Sequence, residues 1–323
     1  RSSSARDRYF MRNALNISLR GIGNTSPNPS VGVVIVKNNQ IISRGWTQIG
    51  GNPHAEIVAL KKKSEIFGST LYTTLEPCSH YGKSPPCVDQ IIKSKIKRVV
   101  IGTKDPNPKI NGGGIRKLKK SNIKITLGVL ENEIKKTHAG FFYKINKQKP
   151  FIASKIAISK NRKMINQNNR WITSEDSRTY GNFLRSKFDS IMTGINTVLT
   201  DDPLLNCRHY GMEKLSPVRF ILDTNLRIKK NLKIIRTAKT IETYIFTNNK
   251  DDEKIKDLKK MGIKVKVLDQ NLSEIDLGKA ISEIVNLGFN NLLLEAGPNL
   301  NHSFLKENLV NKLYYFKSKI RKL

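Results

Sequence analysis

The feature that most constrains this chain is a set of four side chains between positions 54 and 87. They are His54 and Glu56 in His54-Ala55-Glu56, Cys78 after Pro77, and Cys87 after Pro86. One imidazole and two thiols are donors that suit a tetrahedral zinc ion. Three protein ligands leave the fourth corner to water, which separates a catalytic zinc site from a closed structural one. Glu56 is then placed to act as acid and base without ligating the metal, the logic of zinc deaminases. The joint pattern carries this reading. Alone, His54 would be an ordinary surface or core histidine, and the cysteines would be buried thiols. A structural site would want a fourth ligand, for which His80 is the nearby candidate.

At 323 residues the chain exceeds the size at which one core usually stops growing, so two domains are expected. No apolar run approaches the ~18 residues of a membrane span. The start, Arg1-Ser2-Ser3-Ser4-Ala5-Arg6, lacks the apolar stretch of a secretory signal. Of three cysteines, two belong to the metal cluster, which argues against a disulfide framework and for a cytoplasmic setting. The net charge of +32 invites a nucleic-acid reading. The excess is spread evenly, however. Residues 1–146 carry 25 Lys and Arg against 8 Asp and Glu, and residues 147–323 carry 33 against 18. With abundant Lys, Asn and Ile, this reads as a compositional bias, and no nucleic-acid partner is expected. Such a field still attracts small phosphorylated molecules.

Apolar positions at helical spacing (Phe10, Ala14, Ile17) predict a helix over 7–20 that stops at Gly21. Strands are predicted at 31–36 and 41–43 around an Asn38-Asn39 turn. A helix over 54–63 opens at His54, a strand over 70–75 runs into Cys78, and a helix over 88–95 begins beside Cys87. Strand 98–102, helix 113–120 and strand 123–127 follow. The order α-β-β-α-β-α-β-α-β implies a mixed sheet covered by helices. Both metal-bearing segments fall at helix starts, whose free N–H groups favour thiolate over thiol. The Lys-rich stretch 144–149 reads as a linker between a domain at 1–146 and a second at 150–323. That second half predicts strands at 151–159, 190–193, 218–222, 244–247, 265–268 and 291–294. Its helices are 174–187, with Ser174 as N-cap, 251–261 and 276–287, so it too is α/β.

Eight residues separate the two thiols, Ser79-His80-Tyr81-Gly82-Lys83-Ser84-Pro85-Pro86, where the generic deaminase pattern has two. This insert, with Thr25-Ser26-Pro27-Asn28-Pro29-Ser30-Val31-Gly32 and Asp105-Pro106-Asn107-Pro108, resembles the bifunctional deaminase/reductase family of riboflavin biosynthesis. The resemblance implies a cytidine-deaminase-like first domain with one zinc on His54, Cys78 and Cys87 and Glu56 as catalytic residue. It also puts Asn28 and Lys83 at the substrate; without it they would read as a turn residue and a solvated lysine. The chain departs from the family at Thr47, in Gly45-Trp46-Thr47, where a histidine is usual.

Taken by itself the second half says little. The segments 194–203 and 295–300 are Gly-containing turns after strands, either ordinary loops or phosphate-binding helix starts. No Gly-x-Gly-x-x-Gly supports a Rossmann fold. The resemblance extends here and implies a dihydrofolate-reductase-like α/β fold that uses NADPH. It implies cofactor contacts at Ala157, Trp171, Thr197, Asp201, Thr224, Gly297, Pro298, Asn299, Leu300, Asn301, His302 and Ser303. It implies substrate contacts at Lys155, Asn169, Arg185, Leu205, Arg208 and Glu295. Arginine suits a phosphate because its planar fork donates two parallel hydrogen bonds. Here too there are departures. Lys160-Asn161-Arg162 replaces the usual Leu-Asp-Gly, Asn169 replaces Ser, and the sequence ends at Leu323, soon after Leu313-Tyr314-Tyr315-Phe316.

The expectation is a bifunctional enzyme that acts on phosphorylated pyrimidines as a homo-oligomer. The first domain would deaminate a phosphoribosylated diaminopyrimidinone hydrolytically. The second would reduce its ribosyl chain with NADPH. Rival readings are a deaminase with an inactive second domain, a tRNA-type adenosine deaminase, and a non-catalytic scaffold.

Overall fold

A computed structural model describes residues 4–61, 65–82, 85–108, 110–158 and 175–317. The chain divides into two compact units, Arg1–Lys147 and Gln148–Leu323. No helix among the described residues is long and apolar enough to cross a membrane.

The first unit runs α1 (Ala5–Ser18), β1 (Gly32–Lys37), β2 (Gln40–Trp46), α2 (Ala55–Ala59), β3 (Thr70–Leu75), α3 (Cys87–Lys93), β4 (Arg98–Thr103), α4 (Gly113–Lys120), β5 (Lys124–Leu127), α5 (Glu131–Thr137) and α6 (Ala139–Lys147). Its five-stranded sheet has the order β2-β1-β3-β4-β5. The β1 pairings to β2 and β3 are antiparallel, and β3-β4-β5 is parallel. Both faces are covered, so the strands read as nearly continuous apolar runs. Val33, Ile35, Leu71, Val99 and Ile101 point to the side packed by α2, α3 and α4. The alternate residues Val34, Val36, Tyr72 and Val100 meet Phe10, Met11 and Leu15 of α1 and Ile134 of α5. The hairpin turns at Asn38 and Asn39, both at positive φ (49° and 62°), the region that Asn tolerates best after Gly. Ser4 caps α1, its Oγ accepting from the Asp7 N–H at 3.1 Å. Asp7 in turn accepts a two-pronged bond from Arg98 (2.9 and 2.7 Å) and one from Tyr72 Oη (2.9 Å), tying α1 to β3 and β4.

Two expectations change here. The helix expected over 54–63 is helical only to Ala59; residues 62–64 lie outside the described set. The stretch expected to be a linker is largely helix, because α6 runs to Lys147. Phe141 is buried and Ile145 packs on the core. Lys-rich spacing hides that apolar stripe in the sequence.

The second unit runs β6 (Phe151–Ile158), α7 (Glu175–Arg185), β7 (Ser190–Gly194), α8 (Ile195–Asp201), β8 (Val218–Leu222), α9 (Lys233–Arg236), β9 (Thr243–Thr247), α10 (Asp252–Lys260), β10 (Ile263–Val267), α11 (Leu277–Asn286), β11 (Asn291–Leu294), α12 (Pro298–Lys306) and β12 (Lys312–Lys317). The seven strands lie in the order β10-β9-β8-β7-β11-β6-β12, and every pairing is parallel. Ile191, Ile221, Ile245 and Leu293 face α7–α10, while Met192, Phe220, Phe246 and Leu294 face α11 and α12. The segment read as a turn after β7 is the helix α8, whose Ile195 and Val198 are buried. Ser174, expected to cap α7, lies outside the described residues, as do positions 160–162.

Candidate active sites

In the first unit the ends of three elements converge. His54 is the residue before α2, Cys78 follows β3, and Cys87 opens α3. Two glycines permit the approach. A Cβ on Gly45 would stand 2.2 Å from Ala55 O, so only Gly lets α2 lie this close to β2. A Cβ on Gly114 would meet Pro77 O at 2.1 Å, directly before Cys78. His54 Nδ1 lies 3.7 Å from Cys78 Sγ and 3.3 Å from Cys87 Sγ, and the three donor atoms are all within 4.8 Å of one another. Tetrahedral zinc with ordinary Zn–S and Zn–N bonds of ~2.3 and ~2.0 Å needs N···S separations of about 3.5 Å. The donor set fits the metal.

The electrostatics agree with that chemistry. The Cys87 thiol and then His54 favour the thiolate at Cys78, against its burial, and the Cys87 N–H donates to Cys78 Sγ at 3.3 Å. The thiolate–thiol contact correspondingly raises Cys87, as does burial. Cys78 also raises His54. Glu56 is 4% exposed; burial, then the Cys78 charge, push its carboxyl up to about 7.

His54, Glu56 and Cys78 open on a cavity of about 450 Å³ lined also by Asn28, Thr47, Glu76, His80, Asp105 and Asn107. Asn28 Nδ2 donates to Gly51 O at 2.9 Å, which pins the Pro27-Asn28-Pro29 wall. Thr47 lines the cavity but is committed elsewhere: its Oγ1 accepts from the Val31 N–H at 2.9 Å. Lys83 lies outside the described residues. Sequence reasoning assigned no role to Glu76, Asp105 or Asn107, and none at a substrate to His80. Asp105 and Asn107 stood in a quoted turn motif, and Glu76 stood beside Pro77-Cys78, so position was the available signal. Glu76 accepts from the N–H groups of Asp105 (3.3 Å), Gly112 (3.0 Å) and Ile115 (3.3 Å), which fixes that wall. Burial pushes the Asp105 carboxyl up to about 6.

In the second unit the register carries a charged cluster. Leu294 pairs with Ser154, so Glu295 comes beside Lys155. Lys155 Nζ donates to Glu295 Oε2 at 3.1 Å, and Arg185, ending α7, donates to both Glu295 oxygens at 2.7 and 2.9 Å. Burial opposes ionisation, but Arg185 and Lys155 hold the Glu295 carboxyl well below its usual range. Arg208 feels the charges of both Arg185 and Glu295. Leu205 is buried.

Of the residues tied to the cofactor, Gly297 precedes α12 with Pro298 in its first turn, so the N-cap residue itself has no side chain to bond that end. Thr197 Oγ1 would stand 3.7 Å from a Cβ on Gly297. A helix start beside a hydroxyl is a donor set that fits a phosphate. Asn299 and His302 are exposed, and Leu300 packs on the core. Ser303 Oγ donates to Asn299 O at 3.2 Å. Asn301 is turned inward, bonded to Ser154 Oγ and Ala296 O at 2.6 Å each. Ala157 lies on β6, Asp201 ends α8 and Thr224 follows β8. Asn169 and Trp171 lie outside the described residues.

Comparison with known proteins covers both units. Residues 4–103 match the cytidine and deoxycytidylate deaminase zinc-binding region, and residues 151–317 match the RibD C-terminal domain. The riboflavin biosynthesis protein RibD of Aquifex aeolicus (strain VF5) is 38% identical over 313 residues, spanning 96% of this chain and 86% of the relative. That of Escherichia coli (strain K12) is 31% identical, over 96% and 87%. Among solved structures, Acinetobacter baumannii RibD superposes with a TM-score of 0.86 at 31% identity, over 98% of this chain and 87% of the other. A Thermotoga maritima diaminohydroxyphosphoribosylaminopyrimidine deaminase/5-amino-6-(5-phosphoribosylamino)uracil reductase superposes at 0.85, also at 31%, with the same coverage.

Proposed function

The chain belongs to the RibD family of riboflavin biosynthesis proteins, and on that premise we propose which of its residues carry the two activities. It is a bifunctional enzyme, a zinc-dependent deaminase joined to an NADPH-dependent reductase. The substrates we assign are diaminohydroxyphosphoribosylaminopyrimidine and then 5-amino-6-(5-phosphoribosylamino)uracil, those of the Thermotoga relative.

His54, Cys78 and Cys87 would hold the zinc, which would supply the Lewis acidity that makes water a nucleophile at neutral pH. Glu56 takes a proton from the incoming water at its carboxyl and returns it to the amino group that leaves as ammonia. A carboxyl poised near neutrality suits both halves of that task. Asn28 and Lys83 are assigned to orient the pyrimidine; His80, Asp105 and Asn107 line the same cavity as Asn28. In the second unit NADPH, when bound, would supply the hydride that reduces the ribosyl side chain. Residues around Thr197 and Gly297 hold its phosphates, with Ala157, Trp171, Asp201 and Thr224 as further contacts. Lys155, Arg185 and Glu295 form one ion-paired polar group that we assign to the substrate, with Asn169 and Leu205 as further assigned contacts and Arg208 for its phosphate.

The observation that carries this reading is the fit of one imidazole nitrogen and two sulfurs to a zinc tetrahedron beside the buried Glu56. A coupled assay tests it, following ammonia and NADPH separately from the diaminopyrimidinone phosphate. The expected result is about one zinc per chain and both signals. Ammonia release without NADPH consumption would leave the second unit without its assigned activity, and absence of both would end the proposal.

A further inference from the structure

Arg219, on β8, is a fully buried guanidinium whose hydrogen-bond partners among the described residues include no carboxylate. Burial lowers its pKa to about 10, which leaves it charged at neutral pH. Arginine has five N–H donors, and each finds an acceptor. Nε donates to Thr243 Oγ1 at 2.9 Å. Nη1 donates to Leu204 O and Thr237 Oγ1 at 2.9 Å each. Nη2 donates to Ile234 O at 2.9 Å and Ile241 O at 3.2 Å. A buried charge without a counter-charge is costly, and an apolar residue of similar volume often serves a core as well or better. What the guanidinium adds is a rigid fork that fixes several carbonyls in direction at once.

One of those carbonyls, Leu204 O, lies in the turn that leads to Arg208. A second arginine holds the other side of the same turn, because Arg185 Nη1 donates to Asn206 O at 3.0 Å. The carbonyls flanking Leu205 are thus both taken by arginine side chains, that of Arg219 fully buried and that of Arg185 nearly so. Between them Leu205 sits at φ 49°, in the left-handed region that a leucine rarely adopts. Such a conformation persists only where its surroundings over-determine it. Beyond it, Arg208 Nη1 donates to Asn206 Oδ1 at 2.7 Å, so the turn governs where the exposed Arg208 is offered.

We propose that Arg219 is a positioning residue of the reductase: by holding Leu204 O it fixes the turn over 204–208, and through it Arg208, for a phosphorylated substrate. This rests on the assignment of Arg208 to that substrate. Steady-state reduction of 5-amino-6-(5-phosphoribosylamino)uracil by the full chain tests it, with each substrate varied in turn. Arg219→Lys keeps the charge but loses the fork. It is expected to raise KM for the uracil phosphate about tenfold, with kcat and KM for NADPH changed less than about threefold. Thr243→Val removes the acceptor at Nε rather than the one in the turn. It is expected to lower the thermal midpoint while moving that KM less than about twofold. Arg208→Ala reports on the underlying assignment and is expected to raise the same KM.

If Arg208→Ala raises KM and Arg219→Lys does not, the positioning role is wrong. It is equally wrong if Thr243→Val and Arg219→Lys raise KM by the same factor, since that is general loosening of the core. If Arg208→Ala leaves KM unchanged, the substrate assignment of Arg208 has failed and the positioning role falls with it.

Discussion

Glu56 shows how much a single residue's environment decides. The same carboxyl in water would be ionised throughout the neutral range. Here burial and the neighbouring thiolate push it up to about 7, the range that suits the proton exchange proposed for it. Glu56→Gln keeps the volume and removes the exchange. Ammonia release is expected to fall by about 10²–10⁴-fold while zinc content stays unchanged. A variant that retains both zinc and ammonia release would remove Glu56 from the reaction. His54, Glu56, Cys78 and Cys87 were legible in the sequence because donor type and close spacing leave few alternatives. Thr47 was legible only as a departure. That its hydroxyl serves the Val31 N–H is a fact of three-dimensional packing.

Elements were legible where one period dominated. The strands over 31–36, 70–75 and 218–222 alternate between two buried faces, and the structure places them there. Short or Lys-rich helices were not. α8 is seven residues long within a Gly-, Asn- and Asp-rich stretch, and α6 carries its apolar stripe among lysines. The junction of α5 and α6 holds a consequence of this arrangement. His138 lies there, its Nε2 3.2 Å from Ser18 Oγ of α1, and burial lowers its pKa to about 4. The folded form therefore binds this proton less readily than the unfolded chain, whose histidine titrates near 6.5. Stability from this group is complete above about pH 6.5 and is lost as pH falls toward 4, by up to about 1.4 kcal/mol per pH unit. Urea midpoints between those limits are expected to depend less steeply on pH in His138→Gln than in the unaltered protein. Parallel curves would show that His138 carries none of the acid sensitivity.

At the scale of the whole molecule the two units differ in how openly they declare themselves. The first announces its chemistry through metal donors, which few other roles require. The second has no comparable signature, since its cluster of Lys155, Arg185 and Glu295 is assembled from three elements far apart in the chain. Resemblance named those residues; sheet register and the end of α7 bring them together. Each unit also has its own core, and the zinc donors belong to the first unit while Thr197 and Gly297 belong to the second. A ligand that binds only the folded form stabilises it by mass action, about 4 kcal/mol when present at 1,000 times its Kd. Zinc and NADPH should therefore act on different unfolding transitions. In calorimetry of the full chain, a chelator is expected to lower one transition by on the order of 10 °C. NADPH is expected to raise the other, with or without the chelator. A chelator that lowered the NADPH-responsive transition as far as its neighbour would show that the two sites do not draw on separate cores.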